Sequence, residues 1–363
     1  MSVQTNRELM TPGGVLLKLK KDVYSPKAGQ SLLLKAGRTV TENDKEKLAL
    51  HGVTDIEKRY KETAKILGQE SYNDGFVVLE TEAFKEFHKK YKRHYTEFKS
   101  LTEEFAFGGD IQLDILLNSL DSFTDGVRVK SDILNYIRFI GQLEDSIFIH
   151  SLNVAMLCSL AGKWLKLNQE NMHHLILAGI LHDIGKLKID PEILNKKGKL
   201  NELEFMEIKK HPMYGYGILK ERGGIPNSVL TATLMHHERA DGRGYPSGVD
   251  NKHIDLITTI VALCDCYEAM TAERSYKDRV TPFNVMKQLE MGECGHMDMS
   301  VVQGFVKFLA ESFIGNKVKL SNGVFGKIVF LNPQSLTRPL VQINGSEFID
   351  LDKRKDLEIL AVF

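Results

Sequence analysis

Five histidines and two aspartates in the middle of this 363-residue chain have the residue types expected of metal ligands. They are His150, His182, Asp183, His211, His236, His237 and Asp265. Asp265 directly follows an apolar stretch, where a carboxylate is costly unless it is paired or bound to a metal. Imidazole and carboxylate ligands without thiolate favour Fe, Mn, Zn or Ni over Ca or Mg alone. Seven ligands exceed one tetrahedral site, so the set predicts two metals that share a bridging carboxylate.

Each of these residues also has a plainer interpretation. A single histidine such as His150 or His211 is more often a core or surface residue than a ligand, and Asp265 could pair with a buried arginine. The joint pattern within one helical region is what favours a metal centre. Lys186 lies four residues after His182 and shares its face if the helix continues that far. A cation beside metal ligands indicates that an anion also binds there.

Two further features follow the ligand positions along the chain. Arg274 and Lys277 come after Asp265, where they could neutralise phosphate oxygens or form surface salt bridges. Glycines and a proline in the segment 237–248 predict a tight exposed loop after the His-His pair. This loop could shape the opening for a substrate, or it could be a plain turn between helices.

Apolar residues at three- and four-residue spacing predict that residues 108–312 are almost wholly helical. The predicted helices are 110–121, 130–141, 145–165, 170–184, 202–210, 226–236, 254–273, 281–290 and 298–312. Before them, aromatic residues recur every seven positions over 81–106, namely Phe84, Tyr91, Phe98 and Phe105. This stripe predicts a linker helix that packs on its own domain, with a dimer coiled coil as the less favoured alternative.

The composition excludes several classes of protein. Lys+Arg and Asp+Glu both number 48, so no broad basic surface for nucleic acid is expected. The longest apolar runs are shorter than the roughly 18 residues of a membrane span, and the N-terminus lacks the apolar core of a signal peptide. Four cysteines suit reduced thiols better than a disulfide framework. We therefore expect a cytoplasmic protein without a membrane span and without a nucleic-acid partner.

The motifs resemble those of the HD-GYP branch of the HD metal-dependent phosphohydrolases. The resemblance rests on His182-Asp183-Ile184-Gly185-Lys186 and on His236-His237-Glu238-Arg239-Ala240-Asp241-Gly242-Arg243-Gly244-Tyr245-Pro246. It continues through His150-Ser151-Leu152-Asn153-Val154-Ala155, His211-Pro212 and Asp265-Cys266-Tyr267-Glu268-Ala269-Met270-Thr271 to Arg274 and Tyr276. The match covers roughly residues 140–312 in the order and spacing of the family.

This resemblance implies an all-helical bundle with a centre of iron or manganese ions. It implies hydrolysis of cyclic di-GMP to pGpG, GMP or both, by attack of a metal-bridging hydroxide. One metal would be held by His150, His182, Asp183 and Asp265, and a second by Asp183, His211, His236 and His237. Lys186 would lie beside the scissile phosphate, and Asp183 would serve both metals. Arg274 and Lys277 match positions that contact substrate phosphate.

The sequence departs from the family pattern at two positions. Relatives with a third metal carry a glutamate where this chain has Ser146, and Glu144 or Asp145 would be poor substitutes. We therefore predict two divalent metals. The family often has aspartate at the position of Glu268, an exchange that keeps the charge and is expected to change little.

Two other functions stay open on the sequence. One is hydrolysis of another cyclic dinucleotide, such as 3′3′-cGAMP, because the base-contacting residues cannot be identified. The other is a non-enzymatic cyclic di-GMP sensor or scaffold. The loop Gly244-Tyr245-Pro246 could dock GGDEF-type cyclases or other signalling proteins, and helix 81–106 could form a homodimer.

The resulting fold class is mainly α. We predict a small mixed accessory module over residues 1–75, a helical linker region over 76–130, the HD-GYP phosphohydrolase domain over 131–313 and a small antiparallel β module over 314–363. In the N-terminal module, short strands are expected at 15–19 and 31–34. In the C-terminal module, Asn344-Gly345 predicts a hairpin turn.

Overall fold

The structure, a computed structural model, falls into two compact units, residues 1–85 and 86–363. It describes residues 23–24, 32–34, 82–106, 108–109, 133–137, 147–196, 198–250, 254–272, 280–293, 295, 297–343 and 345–362. Within the first unit, strands β1 (Val23–Tyr24) and β2 (Leu32–Leu34) pair antiparallel. The strand predicted at 15–19 and the helix predicted at 110–121 lie outside the described residues.

Helices dominate the second unit, which confirms the mainly α fold class. They are α1 (Glu82–Ala106, which begins just before the unit), α2 (Ile147–Leu165), α3 (Gln169–Leu181), α4 (Pro191–Leu194), α5 (Glu202–Ile208), α6 (His211–Arg222), α7 (Asn227–Met235), α8 (Leu256–Thr271), α9 (Pro282–Glu290) and α10 (Met299–Ser312). A 3-10 helix covers Ile184–Lys188, and residues 133–137 are also helical. Most of the predicted helices therefore form within a few residues of their expected bounds.

The core of the unit is built on α2, α3 and α8, which pack against one another. All residues of α2 from 148 to 162 are buried, so this stretch of the helix has no solvent-exposed face. By length and composition α2 could cross a membrane, but 83% of its apolar 18-residue segment is buried inside the protein. A helix that is buried on all sides is typical of the centre of a larger domain, and α2 occupies that place here.

The aromatic stripe of α1 packs on its own unit. Tyr91, Phe98 and Phe105 are all buried. The ring centroid of Phe98 lies 6.1 Å from that of Phe148 at the start of α2, in an edge-on arrangement. The face that would form the seam of a dimer coiled coil is thus covered by the same chain, as the favoured interpretation of the sequence expects.

Helix α6 was not predicted from the sequence, because its residues have the pattern of a turn. Two glycines, Gly215 and Gly217, interrupt the apolar pattern, and Pro212 stands at its start. The proline is tolerated there because the first backbone N–H groups of a helix have no partner within it. Gly215 permits close packing, since a Cβ at this position would lie 2.8 Å from the Cγ2 of Thr233.

The C-terminal segment forms the predicted antiparallel β module. Its strands are β3 (Lys317–Leu320), β4 (Phe325–Asn332), β5 (Ser335–Ile343), β6 (Glu347–Asp350) and β7 (Ile359–Val362), in the spatial order β6-β5-β4-β3-β7. Gly345 between β5 and β6 has a φ of 78°, as a tight hairpin turn requires. A cavity of about 340 Å³ between α9 and this sheet includes none of the clustered histidines.

The cysteines follow the sequence expectation only in part. Cys158 and Cys264 are buried free thiols in the core, but Cys266 is disulfide-bonded. Burial raises the pKa of the Cys264 thiol, and the hydrogen bond to Cys158 adds to this effect. The number of cysteines favoured reduced thiols, but that number gives no information on which cysteines lie close together.

Candidate metal centre

All seven predicted ligands converge on one buried point between the helices. The structure brings their ligand atoms into three overlapping groups, each with atoms within 4.8 Å of one another. The groups are Asp183 with His211, His236 and His237; His150 with His182 and Asp183; and His182 with His236 and Asp265. Residues on α2, α6 and α8 and residues directly after α3 and α7 thus meet at one site, although 115 positions separate the first from the last along the chain.

Asp183 lies between two sets of histidines. Its Oδ2 is 3.5 Å from the Nε2 of His150 and 3.4 Å from the Nε2 of His182. Its Oδ1 is 3.2 Å from the Nε2 of His211 and 3.9 Å from that of His236. Each carboxylate oxygen therefore faces a different pair of imidazoles, which is the arrangement of a bridging ligand.

The hydrogen bonds of the histidines determine which ring nitrogen carries the proton. The Nδ1 of His182 donates to the carbonyl of Gly179 at 2.9 Å, and the Nδ1 of His211 donates to the carbonyl of Ile208 at 2.7 Å. His236 does the same through Nδ1 to the carbonyls of residues 232 and 233. In a neutral imidazole the other nitrogen, Nε2, then carries a free lone pair and is an acceptor.

These lone pairs point at each other and at a carboxylate. The Nε2 atoms of His211 and His236 are 3.3 Å apart. The Oδ1 of Asp183 is buried without a hydrogen-bond partner among the residues described. Converging acceptors with no proton between them are unfavourable unless a cation binds. The donor set therefore fits divalent metals, held by the seven side chains named above.

Burial and neighbouring charges set the protonation of the ligands. Burial lowers the pKa of His237 to about 3, and burial together with the neighbouring histidines puts the pKa of His236 well below its usual range. Burial alone would raise the pKa of Asp183, but Lys186 and His182 outweigh it and hold that pKa well below its usual range. Both histidines are thus neutral and the carboxylate is ionised near pH 7, as metal ligation requires.

Lys186 reaches the site by a route different from the one predicted. Helix α3 ends at Leu181, so the regular face that would join Lys186 to His182 does not continue. The 3-10 helix instead turns the Nζ of Lys186 to within 2.5 Å of the Oδ2 of Asp183. The lysine side chain is 22% exposed, so it stands at the border between the buried ligands and solvent.

Gly185 allows the 3-10 helix to lie against the start of α6. A Cβ at this position would be 1.9 Å from the backbone carbonyl oxygen of His211 and 2.4 Å from the backbone nitrogen of Gly215. Only glycine fits such an approach of two backbones. The glycine between Asp183 and Lys186 therefore permits the ligands of α6 and the His-Asp pair to meet.

The loop after the His-His pair is anchored by Glu238. The buried carboxylate of Glu238 accepts backbone N–H groups from Ser247 at 2.6 Å, Gly248 at 3.1 Å and Val249 at 3.2 Å. Three such bonds to one carboxylate hold the loop against the site. No separate role was predicted for Glu238 from the sequence.

Tyr245 places an aromatic ring over one ligand. Its ring stacks on that of His237, with centroids 4.6 Å apart and planes inclined by 25°. The Nζ of Lys209 lies 5.2 Å from the centroid of the Tyr245 ring. Gly244 makes this possible, because a Cβ there would be 2.4 Å from the Cα of Glu238. The loop therefore lines the side of the centre at His237, and its role in shaping an opening for substrate stays a prediction.

Glu268 is the functional residue that sequence reasoning undervalued. Its carboxylate is buried on α8, and its Oε2 accepts from the Nδ1 of His150 at 2.6 Å. An outer carboxylate of this kind fixes the tautomer and the orientation of a ligating imidazole. A signal was present in the sequence, since Glu268 lies three residues after Asp265 on the same helix.

Several predicted positions lie outside the described residues. They are the proposed phosphate contacts Arg274 and Lys277 and the three positions considered for a third metal, Glu144, Asp145 and Ser146. Their roles stay predictions.

Comparison with known proteins identifies the central part of the chain. The family model for the HD domain matches residues 129–301. A cyclic di-GMP phosphodiesterase from Pseudomonas aeruginosa is 34% identical over 217 residues, which cover 60% of this chain and 52% of that protein. A 3′3′-cGAMP-specific phosphodiesterase from Vibrio cholerae is 37% identical over 170 residues, covering 44% of this chain and 37% of that protein.

A third relative is a cyclic di-GMP phosphodiesterase response regulator from Xanthomonas campestris pv. campestris. It is 40% identical over 124 residues, which cover 34% of this chain and 32% of that protein. The chain thus matches about half the length of the first relative and about a third of the other two. Residues 129–301 thus match the HD domain, and the motifs at 182–186 and 236–246 lie within the matched range.

Proposed function

We propose that this chain is a metal-dependent phosphodiesterase that hydrolyses cyclic di-GMP to pGpG, GMP or both. The observation that carries the proposal is the position of Asp183, whose two oxygens face two separate sets of imidazoles. Paired metal sites joined by one carboxylate are suited to phosphodiester hydrolysis. The HD-GYP motifs and the relatives named cyclic di-GMP phosphodiesterases support the choice of substrate.

The two proposed ions are iron or manganese. The first would be held by His150, His182, Asp183 and Asp265, and the second by Asp183, His211, His236 and His237. When bound, such ions make water a nucleophile near neutral pH and stabilise negative charge on phosphoryl oxygens. The ligand chemistry, imidazole with carboxylate and no thiolate, favours these metals over Ca or Mg.

The side chains of the site have two different roles, ligation of the proposed metals and donation of hydrogen bonds to the substrate. The Nδ1 protons of His182 and His211 are committed to backbone carbonyls, so these rings hold their orientation and do not transfer those protons. Lys186 is partly exposed and carries three N–H donors on a flexible stem. We assign Lys186 the stabilisation of a phosphoryl oxygen of the substrate. Without substrate, its ammonium group pairs with Asp183.

Hydrolysis by the purified full chain tests the proposal. The wild-type protein and the Asp183→Asn variant are prepared anaerobically with Mn²⁺ or Fe²⁺, analysed for metal, and incubated with cyclic di-GMP. Chromatography separates pGpG and GMP from the substrate. We expect product from the wild type and none from Asp183→Asn, because the amide cannot serve two cations as a carboxylate does.

Asp356→Asn is the matched control, since Asp356 is an exposed carboxylate paired with Arg354 in the C-terminal module. It should keep wild-type metal content and turnover. Turnover retained by Asp183→Asn would contradict the assignment of the site. A fully metal-loaded wild type that cleaves no cyclic dinucleotide would contradict the enzymatic function and favour a sensor or scaffold.

A second candidate substrate is 3′3′-cGAMP. The observation that favours it is the 37% identity to a 3′3′-cGAMP-specific phosphodiesterase over 170 residues. The same assay with a panel of cyclic di-GMP, 3′3′-cGAMP and cyclic di-AMP distinguishes the two. A value of kcat/KM for 3′3′-cGAMP above that for cyclic di-GMP would make the hybrid dinucleotide the substrate.

The Gly244-Tyr245-Pro246 loop is our proposed docking surface for a GGDEF-type cyclase. Its neighbour Arg243 has a side chain that is 86% exposed, while Glu238 holds the loop in place from beneath. Binding of a purified GGDEF protein to the wild type and to Arg243→Ala tests this. Equal affinity of the two would place the contact elsewhere or exclude it.

A further inference from the structure

We propose that Tyr91, on the linker helix α1, is a positioning residue of the metal centre that acts on His150 through Asn153 and Glu268. The inference rests on the proposed metal centre but not on any particular substrate. Three hydrogen bonds carry it, and each joins side chains that are buried.

The first bond orients the ligand. The Oε2 of Glu268 accepts the Nδ1 proton of His150 at 2.6 Å, which leaves Nε2 to face Asp183 and Asp265. Glu268 is 4% exposed and His150 is 8% exposed, so water does not compete for this bond. The direction of the His150 lone pair therefore depends on where the carboxylate of Glu268 is held.

The second bond holds that carboxylate. The amide Nδ2 of Asn153 donates to the Oε1 of Glu268 at 2.9 Å. Asn153 is completely buried on α2, one turn after His150. Because the amide nitrogen is used on Glu268, the amide oxygen points the other way, towards α1. An asparagine can satisfy both directions at once, whereas an apolar residue here would leave a buried carboxylate oxygen without its donor.

The third bond brings in the linker helix. The hydroxyl of Tyr91 donates to the Oδ1 of Asn153 at 2.9 Å, and the backbone carbonyl oxygen of Ile149 is the more distant acceptor at 3.5 Å. The Tyr91 side chain is 2% exposed and its ring lies 6.2 Å from that of Phe87. Packing thus fixes the ring, and the hydroxyl aims at the amide of Asn153.

The three bonds form one continuous line from α1 to a metal ligand. Each acceptor is fixed by the donor behind it, so the line transmits the position of α1 to the imidazole of His150. Helix α1 is also the element by which the chain enters the second unit. A displacement of α1 that breaks the Tyr91 bond would weaken metal binding at His150 and leave the His211 side of the centre unchanged.

A double-mutant cycle on metal affinity tests the proposal. Mn²⁺ is titrated into the metal-free full chain without any nucleotide, for the wild type, Tyr91→Phe, Glu268→Gln and the double variant. Loss of an outer carboxylate commonly weakens a metal site by roughly 10- to 100-fold. Loss of the Tyr91 hydroxyl should weaken the first Mn²⁺ site by about fivefold. If Tyr91 acts through Glu268, Tyr91→Phe should change the affinity by less than about twofold in the Glu268→Gln background.

Thr102→Val is the matched control on the same helix. The hydroxyl of Thr102 is buried, and it has no hydrogen-bond partner within the described part of the chain. Its removal should leave Mn²⁺ affinity unchanged. If Glu268→Gln does not fold, Glu268→Asp replaces it, because the shorter carboxylate cannot span both His150 and Asn153.

The outcomes separate this inference from the proposed activity. Equal effects of Tyr91→Phe and Thr102→Val, or a full Tyr91→Phe effect in the Glu268→Gln background, would overturn the line of hydrogen bonds. Absence of Mn²⁺ binding by the wild type would overturn it together with the metal centre. Coupled losses of Mn²⁺ affinity in a chain that cleaves no cyclic dinucleotide would support the inference while refuting the function.

Discussion

Glu238→Gln should release the loop that carries Gly244, Tyr245 and Pro246 without disturbing the core. The two carboxylate oxygens of Glu238 accept three backbone N–H groups, two at Oε1 and one at Oε2. A glutamine of the same shape offers one oxygen only and turns an NH₂ group towards the remaining donor. At least one buried N–H group is then unpaired, and the others lose a charged acceptor.

The size of the effect follows from these bonds. A hydrogen bond to a charged group contributes about 1.5–3 kcal/mol, and a buried donor left without a partner costs a similar amount. We therefore expect the free energy of local opening of the loop to fall by about 2 kcal/mol. At 1.4 kcal/mol per factor of ten, this is a roughly 30-fold increase in the open population.

Amide hydrogen exchange measures this population directly. The amides of Ser247, Gly248 and Val249 should exchange roughly 30-fold faster in Glu238→Gln than in the wild type, while those of helix α2 should not change. Glu221→Gln, at an exposed position on α6, is the matched control and should leave all three amides unaffected. Unchanged exchange at these three amides in Glu238→Gln would refute the anchoring role of the carboxylate.

Three further predictions concern the centre itself. Gly185→Ala places a methyl group against the carbonyl of His211, so thermal unfolding should show a loss of about 1–3 kcal/mol, and metal analysis should show less bound metal. Lys186→Gln should keep its metal by elemental analysis but lose roughly 100-fold in kcat, because one charged donor to the phosphoryl group is removed. Burial alone would lower the pKa of His150, but Glu268 outweighs it and raises that pKa to about 10. Mn²⁺ binding to the metal-free protein at pH 8 should therefore release about one proton from His150, measurable by calorimetry in buffers of different ionisation enthalpy, and the release should vanish as the pH rises through about 10.

The convergence of the metal ligands was easier to predict from the sequence than the helix contacts that bring them together. Polar residues directly after apolar runs, such as Asp183 and Asp265, had to be buried and therefore had to be paired. This prediction does not depend on which helices meet. Helix α6 was not predicted, because Gly215, which allows a close helix contact, appears in the sequence only as a break in the apolar periodicity.

The supporting residues were harder to predict for the same reason. Glu268 and Asn153 acquire their roles only when α2 and α8 pack side by side, and Tyr91 only when α1 covers them. On the sequence alone the Tyr91 stripe was a packing face, and exchange of Glu268 for aspartate was expected to change little. The structure gives the length of that side chain a function, because it spans from His150 to Asn153.

Metal stoichiometry of the anaerobically purified full chain tests the central claim most directly. We predict two iron or manganese ions per chain in the wild type. Both should be lost in Asp183→Asn, because the carboxylate of Asp183 serves both ions. A wild type saturated at one ion, or an Asp183→Asn protein that retains two, would contradict the shared centre.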